Sequence, residues 1–139
     1  MQDGSRIHRM IQKRMGMEYE AEVPLRYIVP YENYQIQIEG RADGVIHREN
    51  GQVIVDEIKG TYQELKHIRE PKKVHLMQAL CYAFIVAEKE ELREIGVRMT
   101  YCNMDTEEIK YFHETYTRVE VRNWFWNLMD QYKKWADFT

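Results

Sequence analysis

Three residues in the middle of the chain have the types and spacing to hold a hard divalent cation and position a water: Asp43, Glu57 and Lys59. Period-two alternation along residues 52–59 puts Val53, Val55, Glu57 and Lys59 on one face of a strand, and Ile54, Asp56 and Ile58 on the other. A carboxylate and an ammonium thus stand side by side at the end of an otherwise apolar strand. Just ahead, Glu49-Asn50-Gly51 marks a hairpin, because Asn-Gly readily supplies the positive φ of a tight turn. Across that hairpin the strand at residues 34–47 brings Asp43 near the same level, between Gly40 and Gly44, where the backbone bulges or is closely approached. Two carboxylates on neighbouring strands beside a lysine suit Mg²⁺-like chemistry. A plain cross-strand ion pair between Lys59 and Asp43 satisfies the same spacing.

A second polar set lies on a helix further along. Residues 76–87 are almost all apolar, so burial on most faces is expected, and Gln78 and Tyr82 share one face four residues apart. An unpartnered amide in such a helix costs on the order of 1–3 kcal/mol. Gln78 therefore calls for a polar site or a backbone partner. His75 lies on the same face and is a candidate to meet a substrate. His47, His67 and His113 read as surface or loop histidines. Glu22 reads as a solvated strand carboxylate able to approach the site. Trp124, Trp126 and Trp135 read as core or as an interface to another domain, rather than as a base-stacking platform.

The elements that must position these groups follow from periodicity. A helix is expected over 5–15, ending at Gly16, then strands over 20–31, with Pro24 and Pro30 suggesting an edge, over 34–47 with Ile36 and Ile38 on one face and Gln35, Gln37, Glu39, Arg41 and Asp43 on the other, and over 52–59. Residues 61–70 read as a polar loop, and Pro71 is placed to begin a helix that runs to about Lys89. A strand pair over 94–103 and 107–117 precedes a last helix over 119–136, with Trp124, Leu128, Tyr132 and Trp135 at helical spacing. The order αβββαββα predicts an α/β or α+β sandwich, a sheet flanked by helices.

Composition excludes several classes. The chain has 139 residues, 44% hydrophobic and 31% charged, which fits one globular domain. The formal net charge of −3 does not mark a nucleic-acid binder, but charge is uneven. Residues 59–75 carry Lys59, Lys66, Arg69, Lys72 and Lys73 against Glu64 and Glu70, so a basic surface around one site is compatible with an acidic whole. The apolar run at 76–87 is too short to span a bilayer, so no membrane association is expected. Residues 1–15 carry Arg6, Arg9, Lys13 and Arg14 with no apolar stretch, and do not read as a signal peptide. Cys81 and Cys102 do not form a disulfide framework, and a cytoplasmic protein is the expectation.

Taken in order, Gly4-Ser5-Arg6-Ile7-His8, Gly40-Arg41-Ala42-Asp43, Asp56-Glu57-Ile58-Lys59 and Gln78-Ala79-Leu80-Cys81-Tyr82 spell G-x-x-x-H, G-x-x-D, (D/E)-x-K and Q-x-x-x-Y. This pattern resembles the RecB-type nucleases of the PD-(D/E)XK superfamily. More narrowly, Gly4, the run from Gln37 to Gly44 and the run from Tyr101 to Glu108 resemble the nuclease domain that precedes an XPD/DinG-like helicase in bacterial helicase-nucleases.

The resemblance implies a restriction-endonuclease-like core with a central mixed sheet, in a single nuclease domain spanning residues 1–139. It implies a metal-dependent DNA nuclease, an exonuclease, acting in repair or recombination with a helicase in the same or a partner chain. His8, Asp43 and Glu57 would be metal ligands, with the carbonyl of Ile58 as a further oxygen, for Mg²⁺ or Mn²⁺. Lys59 would orient the attacking water and offset charge, and Gln78 and Tyr82 would hold Lys59 and the nucleic-acid backbone. With two cysteines the chain lacks the four thiolates of an iron–sulfur cluster, so none is expected. The first motif starts at Gly4, which suggests a shortened domain or a fragment lacking an upstream helix and a downstream helicase. A catalytically silent nucleic-acid-binding module on the same fold is the alternative. A restriction-type endonuclease is a third reading, against which the Q-x-x-x-Y and G-x-x-x-H motifs weigh.

Overall fold

A computed structural model describes residues 2–138, and side chains for residues 5–134. The elements are α1 (Gln2–Arg14), β1 (Tyr19–Pro30), β2 (Gln35–His47), β3 (Val53–Thr61), a 3₁₀ turn (Leu65–His67), α2 (Lys73–Lys89), β4 (Glu94–Asn103), β5 (Ile109–Thr117) and α3 (Arg118–Phe138). The strands form one sheet in the order β1-β2-β3-β4-β5. Only β3 and β4 pair in parallel, with Glu57 beside Met99 and Lys59 beside Tyr101. A parallel pair needs a long crossover, and α2 supplies it. This is the mixed sheet flanked by helices that the sequence predicts. No helix among the described residues is long and apolar enough to cross a membrane.

Local chemistry accounts for the junctions. At the β2–β3 hairpin Gly51 takes φ +92°, its N–H donates to the Arg48 carbonyl at 3.0 Å, and Asn50 Oδ1 accepts the Gln52 N–H at 2.9 Å. Pro24 and Pro30 lie on β1, an edge strand, where a missing N–H is tolerated. The segment at 61–70 is less loop-like than expected. Thr61 completes β3, and Leu65 and Ile68 are buried anchors whose carbonyls both accept from Lys110 Nζ, at 3.2 and 2.6 Å. Pro71 does not open the next helix; Lys72 is its cap and Lys73 its first residue.

Two cores sandwich the sheet. On one face Val53, Val55, Val97 and Met99 pack against α2 and α3, where Phe84 and Phe125 stack at 4.0 Å with Tyr27 edge-on to both. The buried stripe of α3 is Val121, Phe125 and Met129; Trp124 and Leu128 only flank it, and Tyr132 is exposed. The expected row of Trp124, Leu128 and Tyr132 is thus the margin of the stripe, because an apolar helical face is wider than one row. Trp126 stands exposed and edge-on to Phe125, and the side chain of Trp135 lies outside the described residues. On the opposite face α1 buries Ile7 and Ile11 against Ile58 and Cys102. β3 is therefore covered on both sides, and its alternation divides the two cores.

Candidate active site

The site forms where β2 and β3 part. Their ladder runs from His47 opposite Val53 to Gly44 opposite Asp56 and stops there. The next pair, Asp43 and Glu57, satisfies backbone with side chains: Glu57 Oε2 accepts the Asp43 N–H at 2.9 Å, and Asp43 Oδ2 accepts the Ile58 N–H at 2.6 Å. Each carboxylate is thereby held by the opposite strand. Both are buried, Glu57 at 1% and Asp43 at 9% exposure.

The surroundings of Asp43 break the simple alternation expected for its strand. A Cβ on Gly40 would meet Tyr82 of α2, yet a Cβ on Gly44 would meet Tyr19, which bonds Asp56 on the α1 side. Even-numbered positions therefore change faces between Gly40 and Gly44. The β1–β2 register stays uniform, but Glu22, opposite Asp43, takes φ +55° and drops out of the ladder. Asp43 is buried for this reason, while Gln35, Gln37, Glu39 and Arg41 are exposed.

The first helix closes the site from its own side. His8 Nδ1 lies 3.5 Å from Asp43 Oδ1. Gln12, one turn on, donates to Glu22 Oε1 at 3.0 Å and to the Asp43 carbonyl at 2.9 Å. Ligand atoms of His8, Glu22 and Asp43 all lie within 4.8 Å of one another. Sequence reasoning named His8 and Asp43 but missed Gln12, whose i+4 spacing from His8 was the available signal. It read Glu22 as more a solvated carboxylate than a site residue; the structure brings it in.

The second helix supplies the third wall. Lys59 Nζ donates to Gln78 Oε1 at 3.0 Å, and Gln78 Nε2 reaches Tyr82 Oη at 3.4 Å. Among the described residues Lys59 makes no ion pair with Asp43, so the cross-strand pair is not what this spacing builds. Gln78 itself is exposed rather than buried, because α2 is enclosed mainly over residues 79–87; its partners are Lys59 and Tyr82, not a backbone group. Gly40 is required by Tyr82, whose hydroxyl fills the place that any Cβ there would take.

The electrostatics suit a cation. Burial, followed by the Asp43 charge, pushes the Glu57 carboxyl up to about 8. Burial likewise raises Asp43, against the Ile58 N–H bond that lowers it. Two buried carboxylates here resist ionising together, and His8, Glu22 and Asp43 form a group of a kind that could hold an ion such as Mg²⁺ or Mn²⁺. Ile58 contributes its N–H to Asp43, and its side chain belongs to the α1 core.

Asp56, adjacent in sequence, is a different object. It is fully buried and accepts from Tyr19 Oη at 2.6 Å, Arg98 Nε at 2.9 Å and Thr100 Oγ1 at 2.5 Å. Burial together with the Asp56 carboxylate moves the Tyr19 hydroxyl far above its usual range. His47 and His67 are paired at the surface with Glu90 and Glu64, at 3.0 and 3.5 Å, and His113 is exposed.

A five-stranded mixed sheet flanked by helices, in the order αβββαββα, is consistent with a restriction-endonuclease-like α/β fold. The sequence profile of the PD-(D/E)XK nuclease superfamily matches residues 2–138, and the chain belongs to that superfamily. Among solved structures, the crystal structure of SSO0001 is similar, with a TM-score of 0.62 and 21% identity over 84% of this chain. At that identity the likeness shows the fold, and the match spans 53% of that protein's chain. No curated protein matches the sequence.

Proposed function

We propose that this chain is a metal-dependent deoxyribonuclease domain of the RecB type, an exonuclease working in DNA repair or recombination with a helicase in the same or a partner chain. One observation carries the nuclease reading: the buried pair Asp43 and Glu57 at the β2–β3 split, beside a Lys59 held by Gln78. The approach of His8 to Asp43 from α1 supports the RecB type. The helicase association rests on the resemblance of Gly4 and the runs at 37–44 and 101–108. The superfamily match over residues 2–138 supports reading the chain as one nuclease domain. A cytoplasmic location goes with this reading.

Asp43, Glu57, the Ile58 carbonyl and His8 would hold Mg²⁺ or Mn²⁺, which supplies positive charge against the phosphate. Lys59, fixed at Gln78 Oε1, would orient a water and meet the charge that develops on the phosphate oxygens. Tyr82 would brace Gln78 against β2 at Gly40. No iron–sulfur cluster enters this reading. A silent nucleic-acid-binding module is favoured by one feature: Glu57 is turned to the Asp43 N–H and stands outside the His8, Glu22 and Asp43 cluster.

Digestion of end-labelled linear and covalently closed DNA, single- and double-stranded, with Mg²⁺, Mn²⁺ or EDTA separates these readings. Metal-dependent loss of the linear forms alone supports the exonuclease. Cutting of closed circles indicates an endonuclease. Binding without cleavage under every metal indicates the silent module.

A further inference from the structure

Beside Lys59, the end of β3, the 3₁₀ turn and the start of α2 enclose a cavity of about 310 Å³ lined by Gly60, Arg69, Glu70, Lys72, His75 and Tyr101 among others. Tyr101 organises it. Its hydroxyl oxygen accepts the Lys72 N–H at 3.1 Å and lies 2.8 Å from His75 Nδ1. A hydroxyl proton given to Nδ1, with the peptide N–H on the same oxygen, would leave the imidazole proton on Nε2. In that tautomer His75 presents an N–H donor one helical turn before Gln78, the partner of Lys59. Burial, with Lys59 and Lys72 nearby, lowers the His75 pKa, so the ring acts as a neutral donor.

The lining is cationic. Among the described residues neither Arg69 nor Lys72 has an ion-pair partner, and Glu70 is the one carboxylate in the wall. No side chain caps the start of α2, so the positive end of that helix adds to the same region. The volume admits a phosphate together with its sugar rather than a bare ion.

Resting on the nuclease reading above, we propose that this cavity is a substrate subsite that takes a phosphate of the DNA strand next to the one being cleaved, with His75 Nε2–H as its hydrogen-bond donor and Lys72 and Arg69 as its counter-charges. The phosphate is either internal or terminal, and both present the same oxygens.

Fluorescence anisotropy with single-stranded oligothymidylate in EDTA, in 5′-phosphate and 5′-hydroxyl forms, reads binding without cleavage. His75→Ala should weaken binding about tenfold, the scale of one hydrogen bond to a charged group. His75→Gln, which keeps an N–H donor, should recover most of that loss. Lys72→Ala should lower the salt dependence by about one phosphate contact. Loss confined to the 5′-phosphate form assigns a terminal phosphate, and equal loss in both forms an internal one. In Mn²⁺-dependent cleavage, kcat/KM of His75→Ala should fall about tenfold, mainly through KM. Parent-like affinity and KM in His75→Ala, or no rescue by Gln, overturns the subsite. If the parent cleaves and His75→Ala matches it, the subsite alone fails. If binding depends on His75 but no metal supports cleavage, the nuclease reading fails, and the substrate subsite with it; the cavity is then a phosphate-binding site of the silent module.

Discussion

Asp56 and Glu57 are neighbours in sequence, equally buried, and opposite in what surrounds them. Asp56 faces α1 and accepts three side-chain donors, one of them the Arg98 guanidinium. Glu57 faces the strand split, accepts one backbone N–H, and stands opposite a second carboxylate. Burial works against the Arg98 charge, yet the Asp56 hydrogen bond and charge outweigh it and raise the Arg98 pKa. The first carboxylate is complete within the protein and holds β1, β3 and β4 together. The second is left short of positive charge, and that shortage is what a metal site requires.

The sharpest contrast comes from removing one carboxylate on each side. Asp43→Asn should abolish Mn²⁺ binding by calorimetry and reduce DNA cleavage at least about a thousandfold, while the fold survives. Unchanged Mn²⁺ binding would take the site away from the strand split. Asp56→Ala should instead cost about 3–5 kcal/mol of folding stability in urea titrations, because it removes the buried partner of the partly buried Arg98 charge. A loss of metal affinity as large as that of Asp43→Asn, with stability intact, would erase the distinction between the two faces.

On the role proposed for Lys59, with its charge acting mainly in the transition state, Lys59→Ala should lower cleavage roughly a hundredfold. Mn²⁺ affinity should stay equal or rise slightly, because a neighbouring positive charge is gone. DNA should still bind through other phosphates. A parallel fall in metal affinity would mean that Lys59 supports the ligands rather than the reaction.

The last contrast is one of pH. The Glu57 carboxyl is held near 8 in the folded protein against 4.5 for an ordinary glutamate, so the folded state binds the proton more tightly. Its contribution to metal-free stability is full below pH 4.5 and is lost as pH rises through about 8. Mn²⁺ competes with that proton, so affinity should strengthen by up to about tenfold per pH unit across the same window. Glu57→Gln should flatten the metal-free stability profile between these limits. A profile in that variant as steep as the parent's would place the titration on another group.

Much of this was legible in the sequence alone. The alternation of β3 already separated Glu57 from Asp56, because a strand buried on both sides keeps strict period two. Asn50-Gly51 announced its hairpin, and the prolines announced an edge strand, because local backbone chemistry decides both. The i, i+4 spacing of Gln78 and Tyr82 placed them on one helical face. Residues whose roles depend on their own chain neighbours could be read from their neighbours.

The remainder depended on contacts between segments far apart in the chain. Nothing near Glu22 foretells its φ of +55° or the face change at Asp43; both come from a strand pair turning to cover two cores at once. Gln12 meets Asp43 and Glu22 because Ile7 and Ile11 seat α1 against Ile58. Tyr101 meets His75 because the α2 crossover returns the chain beside β3. Sequence determined which groups were available and on which face of their element each one stood. The tertiary structure decided which of them met, since a side chain's partner is set by the packing of whole elements and not by its place along the chain.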